Sequence, residues 1–216
     1  MFKLAGRNHG RSIVLLPGWA TDYRIFDKLD LPYNYILPAP FNPNKFEAEF
    51  LEFAKQKDIK TASLLGWSLG GYCAADFAVK HPEMIEELIL VSVKEKYDKD
   101  GIDKVKEHLI ESRKAYLYKF YYECFSGGGT EKLKWFKEIL MKEYLEKFGL
   151  EELIEGLDYL LARPLDIEGL KGITTRFMFG MKDKIVPAKE VIGLKSELPD
   201  AVFEFIENSG HMPFPQ

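Results

Sequence analysis

The feature that most constrains this chain is a serine set among glycines at the end of an apolar run. Residues 61–83 read TASLLGWSLGGYCAADFAVKHPE. Ala62 to Trp67 has the composition of a buried strand, and Leu69 to His81 carries the three-and-four spacing of a helix. Between them the chain must turn sharply at Ser68. The residues two before and two after it, Gly66 and Gly70, are too small to collide across such a corner. A G-x-S-x-G pattern between strand and helix pushes the serine hydroxyl out at the carboxyl edge of a sheet and points the Leu69 amide the same way. A tight corner with a capping serine would use the same residue types. The corner therefore gains chemical meaning only if partners converge on it.

Strands and helices alternate through the first 93 residues. RSIVLLPG (11–18), NYILPAP (34–40), ASLLGW (62–67) and EELILVSV (86–93) read as strands, while 21–29, 43–56 and 69–81 carry helical spacing. The alternation predicts βαβ units: an α/β fold with a mostly parallel sheet and helices on both faces. From 94 to 172 long helical patterns rich in lysine, glutamate and aromatics take over. Ile102, Val105, Leu109, Leu117, Phe120, Tyr121 and Cys124 form one stripe, and Leu133, Phe136, Leu140, Tyr144 and Phe148 another, with SGGGT (126–130) between them. Strand patterns return at TTRFMFG (174–180) and AVFEFIE (201–207), flanking a helix near 188–197. The expectation is a core of residues 1–93 and 173–216 interrupted by a helical insertion, residues 94–172. With 216 residues, 46% of them hydrophobic, the chain can bury one such core.

A serine hydroxyl attacks a carbonyl only with a base beside it and a third group to orient that base. Of the four histidines, His9 lies in a glycine-rich turn, His81 closes a helix and His108 sits in the insertion. His211 alone follows the last strand, in GHMPF, on a loop at the sheet edge expected for Ser68. Asp183, in FGMKDKIVP, follows the strand 174–180 and precedes His211 by 28 residues, room for one helix and one strand. Asp200 is a weaker candidate because it precedes a strand and belongs at the opposite edge. Ser68, Asp183 and His211 are thus the expected catalytic residues. The loop LLPGWATD after the first of these strands should supply a second oxyanion donor beside Leu69, with Gly18 letting the backbone approach and the Trp19 amide donating.

The formal charge of −4 argues against nucleic acid as the main partner. The apolar runs fall far short of the ~18 residues of a membrane span, and the first twelve residues lack the pattern of a signal peptide. Cys73 and Cys124 fall in helical patterns without ligand spacing and read as reduced core thiols of a cytoplasmic protein. No metal and no organic cofactor is expected, since SGGGT lacks the Lys-Ser/Thr of a phosphate loop. A monomer is expected.

Taken together, VLLPGWATDYRIFDKL, LLGWSLGGYCAADFAVKHPEMIEELILVS, GLDYLLARPLDIEGLKGITTRFMFGMKDKIVP and GHMPF resemble the α/β-hydrolase superfamily. Within it they are most similar to the pimeloyl-[acyl-carrier protein] methyl ester carboxylesterases of biotin synthesis. The resemblance implies a helical cap over the site and a substrate held on acyl carrier protein. It also implies an acyl site formed by Trp19 with Phe120, Tyr121, Tyr122, Glu123 and Cys124. From Lys104 to Lys147 ten Lys/Arg face seven Asp/Glu, and within this segment Arg113, Lys114, Lys119, Lys134 and Lys137 would meet an acidic carrier. Two departures stand out. Pro17 replaces the histidine of the His-Gly pair common among relatives, removing a hydrogen bond that would support the oxyanion loop. Relatives also continue past the position of His211 into a final helix packed on the sheet, whereas this sequence stops at Gln216, so either the sequence is truncated or part of one sheet face is bare. A generic small-acyl esterase or thioesterase, or a silent hydrolase fold that binds an acyl group or partner, are the rival readings.

Overall fold

The computed structural model describes residues 1–6, 10–127 and 129–214. Seven strands form one sheet: β1 (Phe2–Ala5), β2 (Ser12–Leu16), β3 (Asn34–Pro38), β4 (Ala62–Trp67), β5 (Ile85–Val91), β6 (Thr175–Gly180) and β7 (Val202–Ile206). They lie in the order β1-β3-β2-β4-β5-β6-β7. Only β1 is antiparallel to its neighbour; the other pairs are parallel. Because these strands run the same way, the loops after β2, β4, β5, β6 and β7 emerge at one edge, where such sheets place their ligands.

Central β4 is buried at all six positions, as a parallel strand covered on both faces must be. Helix α1 (Phe46–Gln56) and helix α2 (Leu69–Lys80) pack together through aromatics. Phe46 and Phe50 stack with ring centroids 5.5 Å apart, and both meet the edge of Phe77. Helix α2 in turn packs on β4 and β5.

Two elements depart from the sequence reading. β1 was not expected. FKLA offers only two half-buried residues at a sheet edge, too few to register as an apolar run; Phe2 anchors it against Phe46, Phe50 and Phe53. The helix expected over 21–29 is a single 3-10 turn, Tyr23–Phe26, capped by the Asp22 side chain. Its i→i−3 bonds continue only to Leu29, and Pro32 disfavours helical geometry in the residue before it.

Between β5 and β6 the chain is helical. Helix α3 (Lys99–Phe125) starts on an Asp98 cap and loses helical geometry at Ser112. Helix α4 (Thr130–Phe136) runs through a π-helical turn, Lys137–Met141, into α5 (Lys142–Lys147). Helices α6 (Leu150–Ala162) and α7 (Ile167–Leu170) follow; α6 lies beyond the two apolar stripes read from the sequence. The apolar stripes meet each other here: Phe125 stacks on Phe136 at 4.2 Å. Helix α8 (Ile192–Glu197), preceded by a 3-10 turn, lies between β6 and β7. Among the described residues no helix is long and apolar enough to cross a membrane.

Candidate active site

The corner at Ser68 has the strained geometry that the sequence implied. Ser68 adopts φ 52°, ψ −119°, a left-handed conformation that costs a residue with a Cβ about 1–3 kcal/mol. Backbone contacts force it. A Cβ on Gly66 would lie 2.5 Å from the Gly71 Cα, and one on Gly70 would lie 2.6 Å from the Leu16 carbonyl carbon. The Ser68 amide donates to Val91 O at 2.8 Å, and its carbonyl accepts from the Gly71 amide at 2.8 Å. The hydroxyl thus sits at the carboxyl edge of β4, at the start of α2.

Two loops from neighbouring strands reach the same edge. Asp183 follows β6, and its Oδ1 accepts from the Ile185 and Val186 amides at 2.8 and 2.9 Å. Its Oδ2 lies 2.7 Å from His211 Nδ1. His211 follows β7, and its Nε2 lies 2.9 Å from Ser68 Oγ. Both the Asp183 and His211 side chains are fully buried. The backbone is fixed as tightly as the ring: Trp67 Nε1 donates to His211 O at 2.7 Å, and a Cβ on Gly180 would lie 2.7 Å from the Ser209 carbonyl carbon. This chain of contacts assigns the imidazole tautomer. Nδ1–H donates to the carboxylate, which leaves Nε2 to accept the serine proton.

The other histidines lie elsewhere. The His81 ring contacts Glu47 at 3.0 Å, and His108 is exposed beside Glu111. His9 is outside the described residues. Asp200 is exposed before β7, at the opposite end of that strand from His211. Among the described residues no group of three His, Cys, Asp or Glu side chains is arranged to hold a metal ion.

Trp19 and Leu69 are both buried, and among the described residues neither amide donates to an acceptor. The loop carrying Trp19 is supported despite Pro17. Gly18 O accepts from the Thr21 amide at 3.3 Å and from Thr21 Oγ1 at 2.8 Å. Gly18 also packs face-on to Trp67, where a Cβ would lie 2.9 Å from the indole. The Trp19 indole points into the helical segment and donates to Leu153 O on α6 at 2.8 Å. Gly156 makes room for it.

Ser68 opens on a cavity of about 250 Å³. Trp19, Phe120, Ile102, Val105, Leu157 and Leu160 give it apolar walls; Lys94, Tyr97, Asp98, Glu123 and Lys184 add polar groups. Of the residues expected at the acyl site, Trp19, Phe120 and Glu123 line this cavity. Tyr121, Tyr122 and Cys124 do not. Five consecutive helical residues sweep more than a full turn, so they cannot share one face. The Tyr121 hydroxyl is buried and donates to Ala20 O at 2.6 Å. Tyr122 is 45% exposed and carries Lys137 over its ring. Cys124 is buried, which pushes its thiol well up. Sequence reasoning missed Lys94, Tyr97 and Lys184. Their one signal is position, since each follows the carboxyl end of β5 or β6.

The basic residues expected to meet a carrier are largely engaged within the chain. Lys114 pairs with Glu146 at 2.6 Å, Lys119 lies 3.9 Å from Glu123, and Lys134 lies 4.0 Å from Glu138. Arg113 donates to Phe148 O.

No family model matches the chain. Curated relatives do. It is 25% identical over 228 residues to the pimeloyl-[acyl-carrier protein] methyl ester esterase of Legionella pneumophila (strain Corby), covering 95% of this chain and 89% of that one. The enzyme of the same name from Yersinia pseudotuberculosis serotype IB is 28% identical, with coverage of 94% and 86%. Among solved structures, an esterase from Exiguobacterium antarcticum superposes with a TM-score of 0.80 at 21% identity, covering 98% of this chain and 88% of that one. An enol-lactonase from Burkholderia xenovorans LB400 gives 0.77 at 15% identity, covering 95% and 87%. The chain has the α/β-hydrolase fold and is similar, over nearly its whole length, to pimeloyl-[acyl-carrier protein] methyl ester esterases.

Proposed function

We propose that the chain is a serine carboxylesterase that cleaves the methyl ester of a pimeloyl group carried on acyl carrier protein, a step of biotin synthesis. The observation that carries this reading is the continuous contact from Asp183 through His211 to Ser68, ending at the mouth of an apolar cavity. His211 Nε2 takes the Ser68 proton as Oγ attacks the ester carbonyl, and the unpaired Trp19 and Leu69 amides stabilise the anion that forms. Methanol leaves with the proton from His211. A water activated by the same imidazole then hydrolyses the acyl-enzyme, while Asp183 stays ionised and holds the ring. The helical segment 94–172 acts as the cap, with its apolar underside against the acyl chain and Arg113, Lys114, Lys119, Lys134 and Lys137 toward the carrier.

One observation favours a second reading. Lys114, Lys119 and Lys134, three of the five residues assigned to the carrier face, each lie against a glutamate of the cap itself, as suits an esterase of free small-acyl esters. Turnover of pimeloyl methyl ester on carrier protein, compared with the free ester across ionic strength, separates the two. Carrier-dependent activity that falls with salt supports the first reading; equal, salt-indifferent turnover supports the second. Ser68→Ala should lose turnover of either substrate and fluorophosphonate labelling while keeping its fold. Unchanged turnover in that variant would end both readings.

A further inference from the structure

The loop that carries the expected oxyanion donor lies between two parts of the molecule. From the sheet it takes the packing of Gly18 on the Trp67 indole. From the helical segment it takes hydrogen bonds at three of its next four residues. The Trp19 indole donates to Leu153 O on α6 at 2.8 Å, with the edge of Phe120 at 4.9 Å and Gly156 beside it. Tyr121, on α3, donates its hydroxyl to Ala20 O at 2.6 Å in a buried bond. Tyr144, on α5, donates to Asp22 Oδ1 at 2.8 Å. Residues 18–21 form a turn: Gly18 O accepts from the Thr21 amide at 3.3 Å, and Ala20, at the third position, has φ 56°. A turn with positive φ at that position favours glycine. Alanine keeps the conformation only where its surroundings over-determine it. Of the bonds above, the one from Tyr121 falls on Ala20 itself.

We propose that Tyr121 is a positioning residue for the oxyanion donor: through Ala20 O it holds the turn that aims the Trp19 amide, so that the seated helical segment completes the anion site. The inference rests on the esterase reading above. The link is the planarity of the peptide bond. Gly18 O is committed to the Thr21 amide and to Thr21 Oγ1 at 2.8 Å, and a trans peptide points the Trp19 N–H the opposite way from that carbonyl. The turn therefore sets the direction in which the Trp19 amide donates, and relaxation at Ala20 swings it away. A donor serves the reaction only where it meets the oxygen on which charge develops. Tyr121 does not line the cavity, so it acts on the reaction through the loop alone. Burial pushes its phenol up, and it remains a donor wherever His211 can act as base. No atom is transferred to or from Tyr121, so the chemistry remains that of Ser68 and His211.

The test is Tyr121→Phe, which keeps the ring against Phe136 and Tyr144 and removes only the hydroxyl. It is compared with wild type at equal folded fraction, with urea unfolding to measure stability. Methyl esters of short and of seven-carbon acyl groups are the substrates. An alkylboronic acid, which adds to a serine as a tetrahedral anion, probes the anion site. The expected result is a kcat lower by about three- to tenfold for both esters, the range set by one neutral hydrogen bond, with KM within about twofold of wild type. Affinity for the boronic acid should weaken by the same factor, since it too needs the aimed amide. A variant that turns over both esters and binds the boronic acid like wild type, whatever its stability, overturns the proposal, because Tyr121 would then serve packing alone. So does a loss confined to the long ester and expressed in KM, which would return Tyr121 to the acyl site. Failure of wild type itself to label at Ser68 with a fluorophosphonate would instead remove the esterase reading, so the two failures are distinguishable.

Discussion

The rim of the sheet and the seam under the helical segment are held together in different ways. At the rim, backbone touches backbone: Gly66 against Gly71, Gly70 against Leu16, Gly180 against Ser209. At the seam, long side chains from separate elements reach across. Asp22 accepts from Arg24 at 2.7 Å and from the Tyr144 hydroxyl at 2.8 Å, and it pairs with Lys147. Arg24 continues to Glu143 at 2.6 and 2.7 Å, while Trp19 and Tyr121 add hydrogen bonds to carbonyls on opposite sides of the seam. Backbone contacts leave no room to adjust, whereas side-chain contacts can break and remake. On the proposed esterase reading, the difference suits a fixed reaction centre beneath a cover that must admit substrate.

The sharpest way to break this comparison is to add one carbon at the rim. In Gly70→Ala the new Cβ meets the Leu16 carbonyl, where neither partner is the movable end of a side chain. The expected cost is about 3 kcal/mol or more, with loss of fluorophosphonate labelling even in the folded fraction, because Ser68 must shift. Urea unfolding and labelling measure both. A stable, reactive variant would mean that the corner is not held by backbone contact.

Next in size is the seam. Burial pushes the Asp22 carboxyl up, but hydrogen bonds from Arg24, Lys147 and Tyr144 outweigh it and hold the group at about 2, against an ordinary value of 3.8. A carboxyl depressed in the folded state stabilises the fold above its unfolded pKa, and that stability is lost as pH falls through the folded value. Asp22→Asn should therefore cost about 1.5–3 kcal/mol near neutrality. The gap to wild type should narrow between about pH 4 and pH 2. Denaturant melts at both ends of that window report it. A gap that does not change with pH would show that the Asp22 charge contributes little and that packing holds the seam.

The same contrast explains how much was readable in advance. A corner that needs glycine at −2 and +2 around a serine writes itself into five adjacent residues, and strand order then places Asp183 and His211 at the matching edge. The convergence of Ser68, Asp183 and His211 was legible for that reason. The seam was not, because nothing local in Asp22 or Arg24 announces a partner more than 100 residues away in Tyr144, Lys147 or Glu143. Tyr97 is hidden in the same way: a tyrosine between Lys96 and Asp98 looks like solvated loop until β5 places it on the wall of the cavity at Ser68. The acyl-site stretch 120–124 failed in register, since a block of neighbours was assigned to a surface that a helix presents only at every third or fourth residue.

The smallest effect separates the seam from the outer face of the same helices. Lys114 and Glu146 pair at 2.6 Å, but the two side chains are 56% and 63% exposed, and such pairs contribute at most about 1 kcal/mol. Unlike Asp22→Asn, Lys114→Gln should change stability by less than about 0.5 kcal/mol, and it should leave turnover of a free ester unaltered. Only turnover of a carrier-bound ester should fall, and by less at high salt. If the carrier-bound rate is also untouched, the lysine serves only its glutamate partner, and the docking face must lie elsewhere on the molecule. If stability drops as far as in Asp22→Asn, the division between a latched seam and a solvated outer face is itself wrong.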